Sequence, residues 1–213
     1  MWIDRARRAE RDLRRLERRV AKRETHSVVI DFDRLHRVLG RLGYTDGWVL
    51  TTHGEALRRL YNELDLLLAE TIRAGDLQGV DPAEFAALLS VFTYETRGGE
   101  LPQFPHAEFA QKPLQAILDR WQVIADLEDE NGLEESRPPD VGLVDTLHGW
   151  ASGLDLEHLF EDEDVRAGDF VRAARQVLDL LRQVRDGYPE YRSVASRAIE
   201  SIDRGIVEIG NVT

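Results

Sequence analysis

The chain has 213 residues, 42% of them hydrophobic and 32% charged, with a net charge of −12 and no cysteine. That composition can bury a core, and it excludes a disulfide framework, a thiolate metal site and a cysteine nucleophile. The acidity argues against broad nonspecific binding along nucleic acid, so any such contact has to be a local surface.

Residues 1 to 25 run against the overall charge, with ten Lys/Arg and five Asp/Glu. Trp2, Ala6, Ala9, Leu13, Leu16 and Val20 alternate at spacings of four and three, a heptad seam too thin for a core-facing helix and in want of a partner helix. Its start at Met1 reads as a truncated element. The dense charge of residues 2 to 24 leaves no apolar centre for a secretory signal. No stretch approaches the roughly 18 apolar residues of a membrane span, so no membrane partner and a cytoplasmic setting are expected.

Phe32, Leu35, Val38, Leu39 and Leu42 recur at helical spacing, with Gly43 as a stop. Asp46-Gly47 before Trp48, Val49 and Leu50 is a hairpin signal, and Thr52-His53-Gly54-Glu55 fits a capping box. Helix, hairpin and helix in that order form the second half of a winged-helix module. Leu57, Leu60, Tyr61, Leu64, Leu67, Leu68 and Ile72 predict one core-facing helix from Glu55 to Ala74.

Asp81-Pro82-Ala83-Glu84 opens the next helix, with an acceptor cap, a proline in the first turn and a glutamate behind it. It is expected to reach about Thr96 and to bury Phe85, Leu88, Leu89, Val91 and Phe92. Glycines and prolines break the chain at 97–106 and 131–140, and further helices are expected at 107–130, 141–151, 154–160, 168–186 and 189–209. The fold class is all-α, a helical bundle with a partial winged-helix element that carries one small β-hairpin. Three units are expected: a charged heptad helix at 1–27, the partial winged-helix element at 28–56 and the helical bundle at 57–213.

Motifs for chemistry are missing. There is no GxxxxGK[ST] or GxGxxG, no GxSxG, and no HExxH among the six widely spaced histidines. The acidic runs at 126–130 and 161–164 lack a glycine-ordered ligand loop and read as solvated charge. No catalytic residue, metal or cofactor is expected on this chain. One segment stands out: AGDFVRAARQVLDLLRQVRDG, residues 167–187. It has an apolar side and a polar stripe of Arg172, Arg175, Gln176, Asp179 and Arg182. Such a stripe is either a solvated face or a surface for an anionic partner, because Arg binds phosphate and stacks on bases.

Several blocks together resemble one family. FDRLHRVLGRLGY followed by VLTTHGEAL is similar to the opening of the DSHCT domain, the C-terminal helical domain of DExH-box RNA helicases that work with exosome-type RNA decay, including an actinobacterial branch. ELDLLLAETIRAGDLQGVDPAEFAALLSVFTYETRGG, LHGWASGLDLEHLF, GDFVRAARQVLDLLRQV and IESIDRGIV resemble its later blocks, in order, over about residues 28–209. Residues 1–25 look like the returning stalk helix of the arch inserted in these helicases.

The resemblance implies a domain without catalysis of its own. ATP and Mg²⁺ would belong to the motor domains of the parent helicase, which step 3′ to 5′ along RNA. This domain would close the ring around single-stranded RNA and pack on those motor domains. Its ratchet helix falls on residues 168–186, and the family's contact positions fall on Arg172, Gln176 and Asp179. Relatives often carry a basic residue where Gln176 stands, so hydrogen bonding replaces charge there. The same sequence leaves two other readings open: a winged-helix regulator of duplex DNA and an acidic protein-interaction scaffold.

Overall fold

The computed structural model describes residues 28–96, 104–159, 167–205 and 207. The heptad segment, the acidic run at 161–164 and the tail from 208 lie outside the described residues. Along the chain come α1 (Val28–Arg41), β1 (Thr45–Asp46), β2 (Val49–Leu50), α2 (Thr52–Leu57), α3 (Asp65–Ala74), α4 (Pro82–Thr93), α5 (Glu108–Glu130), α6 (Val144–Ala151), α7 (Leu156–Leu159), α8 (Ala167–Gly187), a 3₁₀ turn (Pro189–Tyr191) and α9 (Arg192–Ile202). The described chain is thus a helical bundle with one small antiparallel hairpin, as its sequence predicts.

The bundle is organised around α4. Every residue from Phe85 to Phe92 is buried, so this helix is apolar all round and needs cover on every side. It receives α6, α8, α9 and α5. Its start is the expected capping box: Asp81 Oδ1 accepts from the Ala83 and Glu84 N–H groups, and Glu84 accepts from the Asp81 N–H at 3.0 Å. The helix ends at Thr93, three residues before the expected stop, as Tyr94 turns to extended backbone.

The hairpin pairs Thr45 with Leu50 and Asp46 with Val49. Gly43 stops α1 at φ +80°, a left-handed conformation that favours glycine. Tyr44 then drops into the core and donates to Glu70 Oε1 at 2.6 Å, while Glu70 pairs with Arg73. Only part of the predicted α1 stripe is inside. Val38 is buried and Leu39 and Leu42 are half-buried, but Phe32 and Leu35 are exposed. Phe32 and His36 stack instead with Trp48, whose ring lies 4.4 Å from that of His36.

Other sequence expectations also need correction. The continuous helix over 55–74 is two helices, α2 and α3, with a break at residues 58–64. Asn62 Oδ1 takes the Leu64 N–H at 2.8 Å, and the Tyr61 N–H goes to Gln183 Oε1 at 2.7 Å, so the helical ladder is diverted. Leu60 and Leu64 reach the core, but Tyr61 is 81% exposed. The cap of α2 is Thr51, one residue before the expected Thr52, and its hydroxyl accepts from the Gly54 N–H. Within the acidic run at 126–130, Glu128 is buried rather than solvated. Its carboxylate accepts from the N–H and hydroxyl of Ser136, which pins the 131–140 connection against α5. Burial holds the Glu128 carboxyl above the usual carboxylate range.

The C-terminal end is tied back by a clamp. Trp150 Nε1 donates to the Ile202 carbonyl, and the Arg204 guanidinium lies 3.8 Å above the Trp150 ring while donating to the carbonyls of Trp150 and Leu154. These contacts fix the end of α9 to α6 and the turn after it. Within the predicted 189–209, a 3₁₀ turn precedes α9 and the helix breaks at Asp203.

Candidate nucleic-acid interface

Helix α8 buries Phe170, Val171, Ala173, Ala174, Val177, Leu178, Leu180, Leu181 and Val184 against α4 and α9. Its other side is open along a groove of about 1100 Å³. Asp169, Arg172, Gln176, Asp179 and Gln183 line one wall of that groove. The facing wall comes from the 61–63 loop, the end of α4 with residues 94–96, and Arg137.

The five predicted site residues do not form a single row. At about 100° per residue, positions 169, 172, 176, 179 and 183 share an arc of about 80°. Arg175 and Arg182 lie about 40 to 60° beyond its edge. The structure therefore gathers Arg172, Gln176 and Asp179 at the groove and leaves Arg175 and Arg182 off its lining. Arg182 pairs with Asp179 at 2.8 Å and with Asp203 at 3.8 Å. Arg175 is half-buried, and its Nε has no hydrogen-bond partner among the described residues.

The facing wall is fixed by polar contacts. Arg137 Nη2 donates to the Phe92 carbonyl at 2.8 Å, and Arg137 Nε pairs with Glu63 at 3.1 Å. Asp140 accepts from the Thr96 N–H and hydroxyl and holds the chain after α4 in place. Tyr61 and Arg59 join the loop to α8, through Gln183 and the Asp186 carbonyl. Sequence reasoning missed Tyr61, Gln183 and Arg137 as groove residues. Tyr61 fell in phase with Leu57, Leu64 and Leu68, and the available signal against a through-going helix was Asn62, a residue that favours turns and caps.

The groove offers hydrogen-bonding side chains, one exposed aromatic ring and the Arg172 guanidinium. Among the described residues, no group of three or more His, Asp or Glu is placed to hold a metal ion, and no helix is long and apolar enough to cross a membrane. Such an arrangement suits noncovalent contact with a polar chain.

The profile of the DSHCT (NUC185) domain family matches residues 47–209. The chain is 40% identical over 220 residues to the probable helicase HelY of Mycobacterium tuberculosis (strain ATCC 25618 / H37Rv), an alignment that covers 95% of this chain and 24% of that protein. It is 39% identical over 220 residues to the probable helicase HelY of Mycobacterium leprae (strain TN), with the same coverage of 95% and 24%. Similarity extends to the exosome RNA helicase MTR4 of Mus musculus, 28% identical over 211 residues, or 90% of this chain and 20% of that protein. The chain spans about a quarter of the length of these two HelY relatives.

Proposed function

The chain belongs to the DSHCT (NUC185) domain family, and on that premise we propose that it guides single-stranded RNA as the non-catalytic C-terminal domain of an ATP-dependent 3′–5′ RNA helicase. ATP and Mg²⁺ act in the motor domains of the parent protein. The strand leaving those motors runs along the α8 groove, where Arg172, Gln176 and Asp179 touch it. The observation that carries this reading is the open groove, whose wall is the face of α8 bearing these three side chains.

The role asks for weak contacts. A strand that is stepped past a surface has to be released at each step, so tight binding would stall it. One guanidinium and two hydrogen-bonding side chains fit that requirement, because single-strand binding otherwise rests on basic grooves and stacked bases. The acidic remainder of the chain keeps the contact local. The exposed apolar side chains Phe32, Leu35, Trp48 and Val49 supply a face for packing on the motor domains.

Photocrosslinking tests the reading. Single-stranded RNA carrying 4-thiouridine is irradiated with the chain, and the adducts are mapped by mass spectrometry. Adducts on peptides from 167–187 and from the facing wall are expected, and Arg172→Glu should remove most of them. Adducts confined to α1 and the hairpin would favour a winged-helix contact instead and end this proposal.

A further inference from the structure

The groove has an unexpected charge for a site that meets nucleic acid. Glu63, Glu95, Asp169 and Asp179 line it against two guanidiniums, Arg137 and Arg172. Arg137 is committed, since it bonds the Phe92 carbonyl and pairs with Glu63. Asp179 pairs with Arg182, which lies outside the lining. A phosphate backbone laid into such a groove meets a lining with more carboxylates than guanidiniums.

Bases have no such conflict. Their amino and imino groups donate to carboxylates and amide oxygens, and every base offers a flat face to an aromatic ring. Tyr61 supplies that ring. It is 81% exposed, although the sequence pattern puts it in phase with core leucines. Its backbone N–H donates to Gln183 at 2.7 Å, and Arg59 reaches the Asp186 carbonyl, so the loop is latched to α8 at both residues. Tyr61 thus lines the same groove as the stripe that runs from Arg172 to Gln183, a distance of about 16 Å along the helix axis.

We propose that Tyr61 is a stacking platform, and that the groove takes a single strand by its bases with the phosphates turned toward solvent. This rests on the strand-guiding reading above and deepens it. Guidance of this kind is tolerant of sequence, because stacking does not depend on which base is present. It also places phosphates outside, where other domains can reach them.

The test uses fluorescence anisotropy at low salt with the 213-residue chain and two labelled probes, a 12-nucleotide single-stranded RNA and an abasic strand of the same length. The wild-type chain should bind the abasic strand about ten-fold more weakly or worse, and Tyr61→Ala should weaken RNA binding by about ten-fold. Tyr61→Phe keeps the ring and should stay within about two-fold of wild type. Tyr61→Ala retains the backbone N–H that bonds Gln183, so its thermal melt should match that of wild type. Equal binding of RNA and abasic strand would overturn the base-inward orientation. Unchanged binding by Tyr61→Ala, with binding lost in Arg172→Glu, would overturn the platform and leave the groove reading standing. No RNA binding by the wild-type chain, or binding indifferent to both substitutions, would bring down both.

Discussion

Gly54→Ala is expected to dislodge the hairpin from the bundle. A Cβ built at Gly54 runs into the Tyr44 carbonyl oxygen, and it would lie 3.2 Å from the carbonyl carbon and 3.1 Å from Leu50 Cδ2. Relaxed carbon–carbon contacts are about 3.5–4.0 Å and the carbonyl oxygen is the tighter clash, so backbone has to shift by on the order of 1 Å. The Tyr44 carbonyl cannot move freely. It accepts the Thr51 N–H at 3.0 Å, and the Tyr44 ring is fully buried on its bond to Glu70. Overpacking costs about 1–3 kcal/mol, and a weakened Thr51–Tyr44 bond adds about 1 kcal/mol. A loss of about 3 kcal/mol lowers Tm by about 10 °C in a chain of this size. Circular dichroism melts measure it directly. Gly40→Ala is the control, since its Cβ meets only Thr45 Oγ1 at 3.5 Å, an ordinary contact near the end of α1, and Tm should hold or rise. A Gly54→Ala drop of less than about 2 °C would refute the packing argument.

Arg172→Ala should weaken single-stranded RNA binding about five-fold, whereas Arg175→Ala and Arg182→Ala should stay within about two-fold, as read by anisotropy; the reverse order would mean that the strand lies on the other edge of α8. Asp81→Ala removes both accepted N–H bonds of the α4 cap, and it should cost about 1 kcal/mol and lower Tm by about 2–4 °C. Glu128 has its folded value raised by burial. Its contribution to stability is therefore fully present below its unfolded value near 4.5 and is lost as pH rises through the higher folded value. The Tm of Glu128→Gln minus that of wild type should accordingly rise between pH 4 and pH 7, and a difference that stays flat with pH would contradict the burial argument.

Much of the bundle was legible because its signals are local. The Asp81-Pro82-Ala83-Glu84 start, the Gly43 stop and the Asp46-Gly47 turn each act within a few residues, and all are present in the structure. Misreadings arose where a distant partner decides the outcome. The break between α2 and α3 depends on Gln183, more than a hundred residues away, which takes the Tyr61 N–H. The burial of Glu128 depends on Ser136 folding back across the end of α5. Phe32 obeys helical spacing, but its own ring neighbours, His36 and Trp48, hold it at the surface.

The arginines of α8 illustrate the same limit at the site. In the sequence, Arg172, Arg175 and Arg182 lie three and seven apart and read as one cationic stripe. A helix separates them by phase, and the neighbouring helices decide which phase faces open space. Because α8 packs on α4 and α9, the opening falls on the line through Arg172, Gln176, Asp179 and Gln183. Arg182, off that line, is free to neutralise Asp179 and to reach Asp203 beside the end of α9. The groove thereby loses most of the positive charge that the sequence suggested. What remains on α8 is one guanidinium and a row of hydrogen-bonding groups, facing an exposed tyrosine across the groove.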